Sequence, residues 1–310
     1  MFAEGEGLLH ISLDEKTAYF VKSDGDELHA MNISADPPGP LVEIHALLPD
    51  VRRRWSDDEK DLLLHVPGDG LWGDLFHLAL DGTEAGPMVP IEAGGPSHVQ
   101  PKSLQWIPGR RVLFMGDQDS PMKNQLYVAD VAAPADPPVK LSGPLQPGGE
   151  LEEFHMRGDP EHVTYYAQLG ADTPYNLYRA RIDPPGEVHQ VNGPQAEGAF
   201  LLTGAFDASA DGTRIVYAGS DTPGRTDLFL VDFAGEVPAA PVNVTSSLPL
   251  DVSLLGYLSP DASQVFFRAR IPDEQRGPLY MVQLSPEIGQ PVLLSDEGEW
   301  VNDFSVLAAQ

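Results

Sequence analysis

An internal repeat of about fifty residues constrains the fold of this chain more than any other feature. A leucine followed by a short β-prone run recurs at six positions, with steps of 47, 51, 51, 51 and 51 residues: Leu28, Leu75, Leu126, Leu177, Leu228 and Leu279. Self-similarity at a fixed period of this size is typical of propellers, solenoids and other repeat architectures. The chain is therefore expected to contain six copies of one structural unit.

Each copy contains four short segments with the composition of β-strands. A run rich in aromatic and β-branched residues precedes each leucine, as in residues 163–166 and 215–217. A turn containing Asp, Pro or Gly precedes several of these runs, and a further strand precedes the turn. The fourth strand follows the leucine strand and is surrounded by prolines, as at Pro137 and Pro184. Because proline has no amide donor, this fourth strand is predicted to be the outer edge of its sheet.

Six copies of four strands predict an all-β fold, a six-bladed β-propeller with four antiparallel strands in each blade. We expect a single domain over residues 1–310, with approximate blades at 7–50, 51–102, 103–152, 153–203, 204–254 and 255–299. Residues 300–310 resemble the start of another blade. Three interpretations stay open: this tail is a closing strand on the first blade, the ring closes by packing alone, or the chain is cut from a longer array.

The later copies carry a motif that resembles TolB-type propeller repeats. Residues 206–217 read FDASADGTRIVY and are followed by Asp227-Leu228-Phe229, whereas residues 257–261 read YLSPD and are followed by Leu279-Tyr280. The family pattern is roughly Phe-Ser-Pro-Asp-Gly, an apolar run and Asp/Asn-Leu-Tyr. The resemblance covers the whole chain, although the turns at residues 14–16 and 58–60 lack the glycine.

This resemblance implies a propeller fold and leaves the function open. Members of this group include the TolB envelope protein, the gating propellers of prolyl oligopeptidase-like peptidases and the oligogalacturonate lyases. The motif marks the fold, and fold and function separate easily in such families.

The acidic composition narrows the classes of partner. The formal net charge is −28, from 19 Lys and Arg against 47 Asp and Glu. Such a surface repels nucleic-acid phosphates and anionic lipid and attracts cations or basic protein surfaces, with acidity for solubility alone as the alternative. We expect no nucleic-acid partner. We also expect no membrane insertion, since no apolar run approaches the roughly 20 residues that span a bilayer.

The chain contains no cysteine, which excludes disulfides, thiol chemistry and cysteine-ligated zinc. Its first residues lack a basic and hydrophobic signal-peptide pattern. The protein is therefore expected in the cytoplasm, or in the periplasm or cell envelope if a signal segment has been removed.

The loops between the second and third strands carry acidic residues in almost every copy. Repetition places equivalent loops on one face, so their carboxylates are expected to form a ring that attracts cations or a basic partner. The alternative is that Asp and Gly are present simply as hairpin residues. The candidate binding residues of this acidic loop face are Asp24, Asp26, Asp69, Asp74, Asp117, Asp119, Asp172, Asp221, Asp227 and Asp273.

A second candidate site is the central channel of the predicted propeller. His10, His155 and Asp207 lie on or near first strands, which line such channels, and the lyase relatives imply a metal site there. Arg54 ends a run of three arginines that is suited to an anionic group. For all four residues, ordinary packing or pairing with neighbouring acids is the alternative. We expect no cofactor, with a divalent cation as the alternative.

No motif predicts an enzyme, because the chain has neither a Gly-x-Ser-x-Gly elbow nor a Gly-rich phosphate loop between a strand and a helix. The leading hypothesis is a non-catalytic, monomeric binding platform that uses the acidic loop face to hold a basic protein or peptide. One alternative is a metal-dependent propeller enzyme of the oligogalacturonate lyase or lactonase type, with its site near His10, His155 and Asp207. Another is a gating or sensor module of a larger protein.

Overall fold

Short antiparallel β-strands make up all of the regular structure in the described part of the chain. The computed structural model describes residues 6–22, 27–46, 52–67, 73–91, 99–117, 123–156, 159–195, 198–221, 224–249, 251–252, 256–270 and 277–295. Within these ranges there is no helix, and so none that could cross a membrane. The contacts within the chain divide it into two compact units, Met1–Lys140 (unit 1) and Leu141–Gln310 (unit 2).

Unit 1 contains a four-stranded sheet and a nine-stranded sheet. The first has the order β1-β2-β3-β4, with β1 (Glu6–Ile11), β2 (Thr17–Lys22), β3 (Glu27–Asn32) and β4 (Leu41–Ala46). The second consists of β5 (Arg52–Trp55), β6 (Asp61–Pro67), β7 (Gly73–Asp81), β8 (Glu84–Ala85), β9 (Val89–Pro90), β10 (Val99–Ile107), β11 (Arg111–Gly116), β12 (Gln125–Asp130) and β13 (Val139–Lys140). Its order is β13-β12-β11-β10-β7-β6-β5, with β8 and β9 paired to β7. It joins two sequence repeats through the pairing of Val99 with Gly73.

Unit 2 contains three sheets, which follow one another along the chain. The first is β14 (Glu150–His155), β15 (His162–Gln168), β16 (Tyr175–Ile182) and β17 (Pro185–Gln190), in that order. The second has the order β18-β19-β20-β21 with β22 on β20, from β18 (Phe200–Ala208), β19 (Arg214–Ser220), β20 (Asp227–Ala234), β21 (Val237–Pro238) and β22 (Val242–Asn243). The third has the order β23-β25-β26-β27 with β24 on β25, from β23 (Asp251–Val252), β24 (Tyr257–Leu258), β25 (Gln264–Arg270), β26 (Leu279–Gln283) and β27 (Val292–Leu293).

The sheets follow the sequence repeat closely. All six repeat leucines lie in the third strand of a repeat, in β3, β7, β12, β16, β20 and β26. The proline-flanked fourth strands β4, β13, β17 and β27 end their sheets, and their exposed side chains include Val42, Val139 and Val292. The prediction of an all-β chain with four antiparallel strands per repeat, the fourth of them an edge strand, is confirmed for these sheets; that this edge is the outer one stays a prediction. The count of six blades and the single domain stay predictions.

The turn between the first and second strands repeats a hydrogen-bonded geometry. In the Ser209–Thr213 turn, Ser209 Oγ donates to Asp211 Oδ1 at 2.7 Å, and the backbone N–H of Thr213 donates to the same oxygen at 3.0 Å. These bonds, that from Ser209 first, lower the pKa of Asp211 to about 2. The residue after the aspartate has a positive φ, which is 66° at Gly212 and 56° at Glu15. The glycine of the sequence motif therefore reflects the left-handed conformation of this turn.

Aromatic pairs on the second and third strands hold the middle of four sheets. The two rings of each pair lie on residues directly opposite each other, with centroids 5.3–5.8 Å apart and planes within 25°. Such pairs contribute roughly 0.5–1.5 kcal/mol beyond their burial. They are Phe114 with Tyr127, Tyr165 with Tyr178, Tyr217 with Phe229, and Phe267 with Tyr280.

Consecutive sheets within a unit share hydrophobic clusters and are joined by polar contacts. One cluster combines Val216 and Leu228 with Leu258 and Phe267 of the next sheet. The backbone N–H of Leu258 also donates to Asp207 Oδ2 at 3.0 Å. The repeats are thus packed sheet against sheet, as well as hydrogen-bonded within each sheet.

Candidate functional site: a groove in unit 2

The predicted acidic loop face divides into buried and exposed residues. Asp24, Asp26, Asp69, Asp119 and Asp273 lie outside the described residues. Asp117 and Asp227 are only 4% and 2% exposed. Asp74 is exposed on β7 of unit 1, and Asp172 and Asp221 are exposed in unit 2. Only the last three present an exposed side chain in the described part of the chain.

Hydrogen bonds within the fold hold the Asp227 carboxylate. This carboxylate accepts two bonds from Arg225 Nε, at 2.9 and 3.0 Å, and one from Thr245 Oγ1 at 2.9 Å. The Arg225 guanidinium also donates to the carbonyl oxygens of Thr245 and Leu248. These contacts fix the loop after β22 against the start of β20.

The predicted channel residues of unit 1 contact their neighbours. The His10 ring stacks on Trp55 with centroids 4.7 Å apart, and His10 Nε2 hydrogen-bonds to Glu59 Oε1. Arg54 is exposed on β5, and its carbonyl oxygen accepts a bond from Trp106 Nε1 at 3.1 Å. His10 and Glu59 thereby join the first two sheets of unit 1.

The predicted channel residues of unit 2 are also engaged. His155 Nε2 lies 2.6 Å from Glu153 Oε1, and its ring meets Phe206 edge-on at 5.0 Å. Asp207 is 5% exposed and accepts the Leu258 amide bond already noted. Among the described residues, no group of three or more His, Asp and Glu side chains is arranged to hold a metal ion.

Two adjoining cavities in unit 2 bring together Asp172 and Asp221, the two exposed members of the predicted acidic loop face in that unit. The first, of about 220 Å³, is lined by residues of the loop after β17, of β18 and β19, and by Asp221. The second, of about 520 Å³, is lined by the loop after β15, which contains Asp172, and by residues 198–199. Gln195 and Ala199 line both cavities. We call the pair the Gln195 groove; it is lined by Ala171, Asp172, Thr173, Pro174, Asn192, Gly193, Pro194, Gln195, Gly198, Ala199, Phe200, Leu201, Tyr217, Ser220, Asp221, Phe229 and Pro241.

The first cavity has an aromatic lining. Tyr217 and Phe229 stack in parallel with centroids 5.3 Å apart, and both are less than 8% exposed. Phe200 stands beside them with 36% of its surface exposed. The volume of about 220 Å³ is enough for an apolar side chain to lie against Phe200 and the residues of the stacked pair, beside the polar residues of the same lining.

Gln195 connects the aromatic cavity to the polar one. Its Nε2 donates to the carbonyl oxygen of Tyr175 at 3.0 Å, which fixes the side chain at the start of β16. Its Oε1 is shielded from solvent and has no hydrogen-bond partner among the described residues. A buried acceptor without a partner costs about 1–3 kcal/mol, a cost that a donor reaching this oxygen after a side-chain rotation would offset.

The loops that form the groove are braced before any ligand arrives. Asn192 Oδ1 accepts the backbone N–H of Leu177 at 3.0 Å, and Asn192 Nδ2 donates to Asn176 Oδ1 at 2.9 Å. On the other side, Gln168 Nε2 donates to the carbonyl oxygens of Ala171 and Thr173, at 3.1 and 2.7 Å. Preorganised loops reduce the ordering cost of binding.

The electrostatics of the groove combine neutral phenols with carboxylates. Burial raises the pKa of Tyr217, and the nearby Asp221 carboxylate raises it further. Burial, and then the hydrogen bond to Glu150, likewise raise the pKa of Tyr175. Both phenols therefore stay protonated at neutral pH, and the groove carries the negative charge of its aspartates.

A larger cavity of about 760 Å³ lies in unit 1, lined by the carboxylates of Asp14, Asp58, Glu59 and Asp81 with Lys60 and Arg110. The hydroxyls of Ser12 and Ser56 donate to Asp14 and Asp58, each at 2.8 Å. Glu59 holds His10. Three of the four carboxylates are thus engaged within the fold and two cations offset their charge, so this cavity is the weaker candidate despite its size.

Comparison with known proteins identifies a similarity of fold. No protein-family model and no curated protein matches the chain. A solved prolyl endopeptidase is 15% identical, with a TM-score of 0.55 over 94% of this chain and 42% of its own. An Agrobacterium tumefaciens protein assigned as a TolB is 18% identical, with a TM-score of 0.44 over 82% and 83% of the two chains. An oligogalacturonate lyase in complex with manganese is 13% identical, with a TM-score of 0.44 over 94% and 77%.

The TM-score to the prolyl endopeptidase exceeds 0.5, and this likeness is in keeping with an all-β chain of four-stranded antiparallel sheets. Since the identities lie below 25%, the likeness concerns the fold alone. This chain spans less than half of the length of the prolyl endopeptidase. Function has to be argued from the groove itself.

Proposed function

We propose that this protein is a non-catalytic binding platform that captures a protein or peptide partner through the Gln195 groove. The observation that carries the proposal is the joining of an aromatic cavity and a polar, acidic cavity through Gln195 and Ala199. Clefts lined by aromatic side chains and a few well-placed polar groups are typical ligand sites. A groove divided into two cavities suits a chain molecule with successive side chains.

The proposal extends to the architecture that presents the groove. We propose that the repeats form a six-bladed propeller, with the groove in loops at one end of its blades. Loops on a rigid scaffold are common carriers of binding function. The sequence period and the repeated four-stranded sheets support this arrangement.

The experiment selects peptides that bind the wild-type protein from a displayed random library. The affinity of each enriched peptide is then compared between the wild type and Ala199→Trp, which blocks the groove with an indole where the two cavities meet. The matched control is Ala210→Trp, an exposed turn residue at the other end of the β18–β19 hairpin. Circular dichroism and thermal unfolding verify that both variants are folded.

We expect A199W to weaken binding of the enriched peptides at least about tenfold, which corresponds to about 1.4 kcal/mol, and A210W to leave it unchanged. Equal affinity for the wild type and A199W would place the binding surface elsewhere. A library that yields no enriched peptide on the folded wild-type protein would count against the platform itself.

A further inference from the structure

We infer that the Gln195 groove selects a segment in which an aromatic or aliphatic residue is followed closely by arginine or lysine. This inference rests on the proposed function and names the chemistry of the partner. It follows from three features of the groove, namely its apolar lining, its carboxylates and its unpaired amide oxygen.

The apolar residue of the partner enters the first cavity. Phe200 is the large apolar side chain left most exposed there, and Leu201 and the Tyr217–Phe229 pair line the same space. Removal of apolar surface from water favours association. A partner side chain that covers Phe200 removes such surface on both sides of the contact.

The basic residue of the partner lies against the carboxylates. Asp221 lines the first cavity and Asp172 the second, and both aspartates are exposed. No lysine or arginine lines either cavity among the described residues. The guanidinium of Arg225 lies near enough to Asp221 for their charges to interact, but it is paired with Asp227. The groove therefore keeps a negative charge that favours a cation, whereas an acidic partner is repelled by it and by a chain of net charge −28.

The amide oxygen of Gln195 accepts a hydrogen bond from the partner's backbone between its apolar and its basic residue. Gln195 lines both cavities, and its Oε1, which is shielded from solvent, accepts no hydrogen bond from the described residues. A rotation of the side chain is needed to turn this oxygen toward a ligand. An extended segment that crosses from one cavity to the other carries backbone N–H donors past this point. One such donor satisfies the oxygen, which favours a peptide over a free amine of equal charge.

The test is a charge exchange at the groove. Peptides enriched on the wild-type protein are synthesised in three forms, with the basic residue kept, replaced by glutamine or replaced by glutamate. Each form is titrated by fluorescence anisotropy against the wild type, Asp221→Lys and Asp172→Lys. Glu287→Lys is the matched control, because it makes the same change of charge at an exposed residue of the β26–β27 connection.

We expect the basic form to bind D221K at least about tenfold more weakly than the wild type, and the glutamate form to bind D221K better than the wild type. Binding of the basic form to the wild type should weaken several-fold as salt rises from about 0.05 to 0.5 M, since salt screens exposed charges. E287K should change each affinity less than about twofold. If D221K does not fold, D221N and D172N with the basic and glutamine forms give the same comparison.

The outcomes separate this inference from the proposed function. Enriched peptides that lack basic residues, or that bind D221K undiminished, while still losing affinity to A199W, would overturn the inference and leave the platform standing. Basic peptides that bind A199W as well as the wild type would overturn both. Both are supported if the peptides lose affinity for A199W and if D221K binds the basic form more weakly and the glutamate form more tightly than the wild type does.

Discussion

Glu15, Glu59 and Ala262 adopt the left-handed backbone conformation that Gly212 adopts in the equivalent turn, with φ between 52° and 66°. For residues other than glycine this region costs roughly 1–2 kcal/mol. The first two repeats lack the motif glycine, yet the structure retains the turn geometry. Their weak match to the sequence motif thus reflects a strained residue in the same turn and not a different turn.

Replacing Glu15 by glycine should stabilise the protein. Glu15 is exposed and has a φ of 56°, so E15G relieves backbone strain and disturbs little else. We expect a gain of about 1 kcal/mol in the free energy of unfolding, measured in urea. The same replacement at Glu161, an exposed turn residue without a positive φ, is the control and should destabilise. A loss of stability in E15G would contradict this account of the turn.

Gly212 gives the opposite prediction. A Cβ atom at this position would lie 2.0 Å from Asp159 Oδ2, and the φ of 66° disfavours any side chain. Asp159 also holds His162 and Arg179, each at 2.8 Å. We expect G212A to lower the unfolding free energy by more than about 1 kcal/mol. An unchanged urea midpoint would show that the neighbouring loop yields freely.

The turn aspartates predict a dependence of stability on acid pH. Hydrogen bonds from Ser209 and Thr213 hold the pKa of Asp211 at about 2, against 3.8 ordinarily. A carboxyl whose folded pKa is depressed contributes stability above its unfolded pKa and loses it as the pH falls through the folded value. The destabilisation caused by Asp211→Ala should therefore be constant above about pH 5 and should shrink between about pH 4 and 2. A difference from wild type that is the same throughout this range would contradict the assignment.

At the scale of the strand, polar side chains that follow the fourth strands accept hydrogen bonds from the backbone N–H groups of three repeat leucines. The backbone N–H of Leu177 donates to Asn192, that of Leu228 to Thr245 and that of Leu279 to Ser295, at 2.9–3.3 Å. Sequence reasoning found the leucines but missed these acceptors, because their residue type changes from one repeat to the next. Their constant offset after the apolar fourth strand was the available signal.

Replacing Thr245 by valine should destabilise unit 2. Thr245 is fully buried, and its hydroxyl accepts from the Leu228 amide while donating to Asp227. Valine keeps the shape, leaves the Leu228 N–H without its acceptor and removes the Thr245 bond to the Asp227 carboxylate, which keeps its bonds from Arg225, at a cost of about 1–3 kcal/mol. Urea unfolding of T245V, with the exposed Ser246→Ala as the control, measures this cost. Stability equal to wild type would mean that water replaces the hydroxyl.

Among the four strands of a repeat, the first strand differs most from the continuous strand that the sequence predicts. Its pairing with the second strand shifts register between Leu201 and Phe206, and the last sheet has two separate short strands, β23 and β24, in the corresponding place. Strand composition and turn residues do not encode such interruptions. The second and third strands were predicted well because both are buried and rich in aromatic residues.

At the scale of the whole molecule, the period of 51 residues predicts one propeller. A compact single domain of 310 residues is expected to have a radius of gyration of about 20 Å in solution scattering. A markedly larger radius would contradict the six-bladed ring. This measurement tests the closed architecture independently of any ligand.

The candidate site was predicted only in part. Sequence reasoning identified Asp172 and Asp221 as binding candidates, because repetition placed their loops together. It could not separate them from Asp227, whose burial by Arg225 and Thr245 depends on contacts made by folding. Gln195 lies in the connection between β17 and β18, which the repeat leaves undefined, and Phe200 begins β18; only the cavities bring the two residues together.

The central claim is that a peptide partner occupies the Gln195 groove, and hydrogen exchange tests it most directly. The backbone amides of the protein are compared with and without a peptide enriched from the displayed library. We predict added protection in residues 171–174, 192–195 and 198–201, which line the groove, and unchanged exchange in the turn at 209–213. Protection confined to other segments, with the groove amides unaffected, would contradict the claim.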